Sequence, residues 1–411
     1  MFFIYKFLIN LVFLFSPIII IFRIFKSKED MLRFREKIGF FSKKRDKGKL
    51  IWFHGASVGE IQSIIPLVER FEKNKKIKQI LITSNTVSSS FIIESLKLRK
   101  TIHQFFPIDC NFISKKFLNY WDPSKAFFID SEIWPVTVDN LYRRNIPIFL
   151  LNGRITKKSF NRWKFFSSFA RSIFGKFNLC LSSNMETKKY LKKLGAKNTK
   201  IIGNLKFSQS ENEKKNLDKK LIDFISSKKT WCASSTHYNE ELICGKAHIR
   251  LKKKFTNLLT IIIPRHINRI NSIKTDLNNL NLKVHLDEPK KKINSDTDIY
   301  LVNSYGKTKL FYKACKNIFL GGSLIKHGGQ NPLEATRYGC KVLHGPNVSN
   351  FREIYRFLNK KNLSRKITNQ DQLINFIIKY FNSKNNSKKI IKDLHLIGID
   401  ILNKTYKEIN K

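Results

Sequence analysis

Residues 50–60 read Leu-Ile-Trp-Phe-His-Gly-Ala-Ser-Val-Gly-Glu. A continuous bulky run closed by a glycine is the pattern of a strand buried on both faces. The residues that follow change period: Ile61, Ile64, Ile65, Val68 and Phe71 form one helical stripe. The same change recurs down the chain. Strands are expected at 50–54, 77–83, 102–106, 126–130, 146–151 and 178–182, with helices between them, notably 58–73, 88–98, 112–120, 135–144, 157–175 and 185–194. A polar stretch at 208–220 interrupts the series. Beyond it strands are expected at 230–234, 258–263, 283–286, 299–303, 317–320 and 341–344, and the chain ends in basic, helical sequence. Alternating β and α elements imply an α/β protein with parallel sheets covered on both faces.

The chain has 411 residues, 78 Lys+Arg against 31 Asp+Glu, and a formal charge of +47. Such a charge attracts polyanions, either nucleic acid or an anionic membrane surface. A compositional habit that fills solvated faces with lysine explains it equally well. With 42% hydrophobic residues, the chain is not a disordered basic tail. The six cysteines lie singly, without CxxC spacing, and read as buried free thiols of a reducing compartment.

The N-terminus is apolar from Phe2 to Phe25, interrupted by Lys6, Pro17 and Arg23, and a dense run of cations follows to Lys49. No small-residue cleavage site ends the apolar run, which argues against a signal peptide. A membrane anchor is expected, spanning or interfacial, and the flanking cations place the body on the cytoplasmic side. The expected organisation is an anchor (1–27), a first α/β domain (28–207), a linker (208–220), a second α/β domain (221–385) and a C-terminal helix (386–411) free to pack back on the first domain.

Open α/β sheets bind ligands beyond the carboxyl ends of their strands. After strand 50–54, Ser57 and Glu60 have the spacing of a capping box, while the carboxylate also stands where a general base would. After strand 126–130 come Asp130, Glu132 and Pro135, a helix start with two acids. Gly203-Asn204-Leu205-Lys206 closes the first half. In the second half, Ser235 and Thr236 open a helix, Pro264 fixes Arg265 at a strand end, and Gly322 and Ser323 form a close-approach loop. Asn331, Pro332, Leu333 and Glu334 spell a helix N-terminus that suits an anion, and Glu334 also suits ribose hydroxyls. There is no G-x-x-x-x-G-K-[ST] and no G-x-G-x-x-G after a strand, which excludes a P-loop ATPase and disfavours a dehydrogenase.

Taken in order, HGASVGE (54–60), DSEIWP (130–135), NGRITKKS (152–159), GNLKF (203–207), ASSTHYNEE (233–241), PRHINR (264–269), GGS (321–323), GGQNPLEA (328–335) and GPNVSNF (345–351) resemble the 3-deoxy-D-manno-octulosonic acid (Kdo) transferases of lipopolysaccharide synthesis. The resemblance implies a GT-B glycosyltransferase, two Rossmann-like domains facing a cleft, that moves Kdo from CMP-Kdo to a lipid A precursor with inversion and without metal or cofactor. It implies a partner membrane, the inner membrane with its anionic lipids, and no nucleic acid. By the same resemblance Glu60 is the base, and Asp130 and Lys206 assist the transition state. Pro264, Arg265, Tyr305, Gly306, Lys307, Asn331, Pro332, Leu333 and Glu334 bind CMP. Glu132, Ser235, Thr236, Gly322 and Ser323 fall at donor or cleft positions.

The sequence departs from the family pattern in places. Asp130 stands where Glu is usual, Val136 replaces Asn, Gln330 replaces His, and Lys307 replaces the Glu of a CMP-contacting motif. Two competing functions remain: a GT-B transferase with another donor or lipid acceptor, and, more remotely, a basic nucleic-acid-binding protein. The latter lacks the basic and aromatic interleaving that such a role needs.

Overall fold

A computed structural model describes residues 1–26, 29–209, 216–288, 293–383 and 387–411. The chain divides into two compact units, Met1–Gln209 with Ile397–Lys411, and Ser210–Leu396. Each is built on a seven-stranded sheet, and every strand pair is parallel.

The first sheet comprises β1 (Leu50–His54), β2 (Gln79–Ser84), β3 (Thr101–Phe105), β4 (Lys125–Ile129), β5 (Ile148–Gly153), β6 (Leu179–Ser182) and β7 (Thr199–Ile201), in the order β3-β2-β1-β4-β5-β6-β7. Its strands are buried on both faces because helices cover both. On one face Trp52 packs against Phe117 and Phe128. On the other Phe53 stacks on Phe127 with ring centroids 4.7 Å apart. The expected helical stripe is this second layer, with Ile61, Ile64, Val68 and Phe71 all buried.

The second sheet comprises β8 (Lys229–Thr236), β9 (Leu258–Pro264), β10 (Val284–Leu286), β11 (Ile299–Leu301), β12 (Asn317–Leu320), β13 (Lys341–His344) and β14 (Ser364–Lys366), in the order β10-β11-β9-β8-β12-β13-β14. Separate apolar clusters fill its two sides, one around Trp231 and Phe319, the other around Phe311 and Tyr355. All six cysteines are free and buried.

The structure corrects the sequence expectations in three places. The helix expected over 157–175 is two, Lys157–Phe165 and Ser167–Phe174, broken at Phe166, whose ψ of 57° leaves the helical range. β7 and β14 were not expected; each is a three-residue sheet-edge strand, too short to show a period. Helix Lys219–Ser226 begins inside the stretch read as linker. Of that linker, 210–215 lie outside the described residues, as do residue 27 of the anchor and the 385/386 boundary.

The last helix, Ser387–Ile409, begins in the second unit and ends in the first. Its final turns pack on the first sheet's helical layer: Tyr406 meets Phe71, and Lys125 Nζ donates to the Ile409 carbonyl at 2.7 Å. A Cβ on Gly398 would lie 2.3 Å from the Phe207 carbonyl oxygen, so the helix backbone sits directly on the segment that carries Lys206. Gly398→Val should therefore cost about 1–3 kcal/mol by overpacking, read as a lower denaturant midpoint and faster proteolysis of the C-terminal helix. Gly59→Ala, where an added Cβ meets nothing within 4 Å, should leave the midpoint unchanged or raise it.

Candidate active site

In the first sheet β1 and β4 are neighbours, yet β1 leads on to β2 on one side and β4 to β5 on the other. The connections therefore diverge above the ends of β1 and β4, opening the crevice where doubly wound sheets bind ligands. The two junctions at this point carry Glu60 and the Asp130–Pro135 segment.

Glu60 lies in the first turn of helix Val58–Glu72, capped by Ser57, whose hydroxyl accepts from the Glu60 N–H at 3.4 Å. The reciprocal half of a capping box is absent: Glu60 Oε2 accepts instead from the Ala56 N–H at 2.7 Å. The helix is capped as the sequence implied, but its acid is turned toward the crevice end of β1. Burial, then repulsion from Glu132 and Asp130, raises the Glu60 pKa to about 7.

Asp130 closes β4 in the left-handed region, φ 57°, and Asn152 does the same at the end of β5, φ 53°. Asn152 ties three segments together. Its Nδ2 donates to Asp130 Oδ1 at 2.6 Å, and its Oδ1 accepts from the Leu205 N–H at 2.9 Å. Lys206 is thereby held with Nζ 3.9 Å from Asp130 Oδ2. Burial pushes the Asp130 pKa up, against the pull of the Lys206 and Arg154 charges.

Glu132 shares a network with His54 and Trp134. Trp134 Nε1 donates to His54 Nε2 at 2.9 Å and lies 3.1 Å from Glu132 Oε2. Since an indole only donates, His54 Nε2 is the acceptor and Nδ1 carries the proton toward Thr83 Oγ1 at 2.9 Å. Burial lowers the His54 pKa, which keeps the ring neutral and able to accept.

In the second sheet the corresponding divergence falls between β8 and β12. Ser235 closes β8 at φ 55°. Thr236 is fully buried and its hydroxyl has no hydrogen-bond partner among the described residues. Gly321 is required by close approach: a Cβ there would lie 2.6 Å from the Ser235 oxygen and from Thr236 Cα. Glu240 shapes the loop that follows. Its buried carboxylate accepts the N–H groups of His237, Gly322, Ser323 and Leu324 at 2.6–3.1 Å.

Pro264 pairs with Thr236 at the end of β9, and the Arg265 side chain is exposed beside it. His237 lies against His327, tilted, with centroids 4.0 Å apart, and meets His266 edge-on at 5.5 Å. Burial and then the charges of those imidazoles lower the His237 pKa to about 4. Asn331 caps helix Pro332–Arg337 by accepting from the Leu333 N–H, with Pro332 in its first turn and Glu334 following. Tyr305 and Gly306 lie in the loop after β11, Tyr305 63% exposed and Gly306 at φ 85°. Lys307 pairs with Asp287, Nζ to Oδ2 2.7 Å.

The structure thus gathers Glu60, Asp130, Glu132 and Lys206 at one switch point. It gathers Ser235, Thr236, Gly322, Ser323, Pro264 and Arg265 around the other. Sequence reasoning assigned no role to Asn152, His54, Trp134 or Glu240. An Asn-Gly pair ending a strand signals a left-handed residue and was the available clue to Asn152.

Residues 32–209 match the model of the family described as 3-deoxy-D-manno-octulosonic-acid transferase (kdotransferase). The 3-deoxy-D-manno-octulosonic acid transferase of Rickettsia bellii is 31% identical over 88% of this chain and 86% of its own. That of Rickettsia prowazekii is 33% identical over 79% and 70%. The chain belongs to the Kdo transferase family. It is therefore a glycosyltransferase, and its parallel two-unit α/β fold is of the GT-B type. The UDP-GlcNAc 2-epimerase of Neisseria meningitidis shares that fold, with TM-score 0.55 and 14% identity over 85% of this chain and 99% of the other.

Glu240 belongs to this Kdo transferase's architecture rather than to its reacting atoms. Glu240→Ala strands four N–H groups, three of them buried, at about 1–3 kcal/mol for each buried one where no water replaces the carboxylate. A loss of at least about 3 kcal/mol in denaturant unfolding is expected. A loss below about 1 kcal/mol would show that the loop does not depend on it.

Proposed function

We propose that this protein transfers Kdo from CMP-Kdo to a lipid A precursor, with inversion and without a metal, at the cytoplasmic face of the inner membrane. One observation carries the assignment of the base. In a chain of the Kdo transferase family, the carboxylate at the first sheet's switch point is raised to about 7 by burial and two neighbouring acids. A general base works best with its pKa near the operating pH.

Glu60 takes the proton of the acceptor hydroxyl as that oxygen bonds to the anomeric carbon of Kdo. The bond from that carbon to the CMP phosphate oxygen breaks, and CMP leaves with the electron pair. Lys206, steered by Asp130, and Arg265 stabilise the charge gathering on the phosphate. Cationic side chains and loop N–H groups supply this without a metal. Tyr305 and Gly306, the Pro264-Arg265 pair and the Asn331–Glu334 turn take the nucleotide. With Lys307 engaged by Asp287, backbone and Tyr305 carry the contact at that loop. Of the loop residues Ser235, Thr236, Gly322 and Ser323, Ser235 is the one left to meet the sugar acid, since Thr236 and Ser323 are fully buried and Glu240 takes the Gly322 N–H. The apolar N-terminal helix, 24 residues long, and the basic surface hold the enzyme where its lipid acceptor lies.

Mass spectrometry of lipid A precursor incubated with CMP-Kdo tests the reaction directly. A mass gain of one or more Kdo residues is expected, and no gain with this donor but gain with another sugar nucleotide would replace the donor. Glu60→Gln should reduce turnover by about 10²–10⁴ while CMP binding persists. Because the base acts as carboxylate, activity should fall as pH drops through about 7. Glu132→Gln removes a repelling charge and should move that acid limb downward; a limb unmoved in this variant would deny the coupling. Chelation should leave the rate unchanged, and rescue by added Mg²⁺ after chelation would contradict the metal-free mechanism.

A further inference from the structure

The N-terminal helix, Phe2–Phe25, touches the first unit at both of its ends. At its start Tyr5 donates to Asp109 at 2.9 Å, Lys6 pairs with Asp139 at 3.8 Å, and Phe2 meets Phe169 with centroids 5.9 Å apart. At its end Arg23 pairs with the buried Glu29, which also holds Lys37 at 2.6 Å. Twenty-four residues of helix extend roughly 36 Å, more than the ~30 Å of a bilayer's hydrocarbon. A helix crossing the bilayer would carry its first turn to the far side, away from Asp109.

The covered positions run the whole length. Phe2, Tyr5, Ile9, Phe13, Ser16 and Ile20 are half-buried or buried, at spacings of three and four. That is one stripe of a helix lying along a surface. The opposite stripe is Phe3, Phe7, Leu14, Ile18, Phe22 and Phe25, all more than half exposed. At 3.6 residues per turn these six fall within a sector of about 100°.

We propose that this helix lies in the plane of an anionic bilayer surface, cradled by the first unit on one side and sunk into the acyl boundary on the other, and does not cross the membrane. The proposal rests on the membrane reading above and specifies its geometry. Charge and a second apolar feature favour lipid as the occupant. Phe165 (82% exposed) and Phe166 stand at the break between two helices, beside the exposed Arg162 and Lys164, with Lys157 and Lys158 exposed at the start of the same helix. Trp163 and Phe2 both pack on Phe169, which joins this break to the helix start. Exposed aromatic residues with cations beside them match a surface of apolar interior and anionic headgroups.

The test uses the full chain with a protease-cleavable tag appended to Met1, in membrane vesicles of both orientations. In-plane docking predicts tag cleavage only when the cytoplasmic face is accessible, together with the body. Cleavage from the opposite face would overturn the proposal while leaving the anchor intact. In parallel, the purified chain is floated with phosphatidylcholine vesicles doped with phosphatidylglycerol. The triple variant Phe7→Ser, Ile18→Ser, Phe22→Ser should partition at least about ten-fold less. Phe165→Ser with Phe166→Ser should also weaken binding, and Ile391→Ser, exposed in the second unit, should not. Unchanged melting of these exposed-face variants would show that the body remains folded. A wild-type chain that ignores the vesicles and forms a stable dimer in solution would overturn both the proposal and the membrane reading. Neither readout depends on the reaction, so failure of Kdo transfer is scored separately.

Discussion

In a parallel sheet every crossover must return over a face, and right-handed crossovers from two neighbouring strands can be made to diverge in only one place. In the first sheet that place is the pair β1 and β4, and in the second β8 and β12. The rest of the site follows from this. The segments leaving those strands cannot pack on each other, so the strand ends stay open and the helices that follow present their N-termini there. Short polar residues then turn the chain sharply at the opening. Asp130, Asn152 and Ser235 all take left-handed backbone angles, which costs roughly 1–2 kcal/mol each for residues with a Cβ. For Asp130 and Asn152 that cost is offset by hydrogen bonds, each side chain closing on the next segment.

Two glutamates, one at each opening, show how environment separates reactivity from structure. Glu240 receives four backbone N–H groups and holds a glycine loop in shape. Its lone pairs are committed. Glu60 receives one, from Ala56, and faces two further acids. The Ser57 hydroxyl adds one more hydrogen bond, yet burial and the neighbouring carboxylates outweigh both and favour a proton there near neutral pH. Lys206 pairs with Asp130, and the influences that raise Glu60, the proposed base, are burial and the two neighbouring acids. The Asn152 bridge matters for this reason: it holds Asp130 and the Lys206 segment together as one body.

Much of this was legible in the chain. The stretch 50–60 and the stripe behind it fixed the β-then-α rhythm, because both burial patterns are strong and local. The same junctions yielded Glu60, Asp130, Glu132 and Lys206, since ligands sit where strands end. What the residues could not reveal was strand order, and strand order decides which junctions are neighbours. Nor could they show that the Glu60 carboxylate takes the Ala56 N–H in place of the Ser57 N–H, since S-x-x-E spacing serves a cap and a base alike. The break at Phe166 was invisible because apolar period continues through it. The edge strands β7 and β14 carry only three residues each, and three residues have no period.

The N-terminal helix is the limiting case of the same problem. A segment apolar on all sides gives one composition whether it crosses a bilayer, lies on one or fills a core. The three differ only in which stripe the rest of the protein covers. A core helix would be covered all round, yet the stripe from Phe3 to Phe25 is open. A crossing helix would be covered at one end, yet Asp109 holds Tyr5 and Glu29 holds Arg23. Coverage along one stripe from end to end fits the proposed surface arrangement, and that arrangement would give part of the +47 charge a geometric reason. A helix in the headgroup plane brings the whole flank of the first unit to the lipid. Cations spread over that flank then act within a Debye length of the anionic surface, whereas beneath a crossing helix most would stand too far off to be felt.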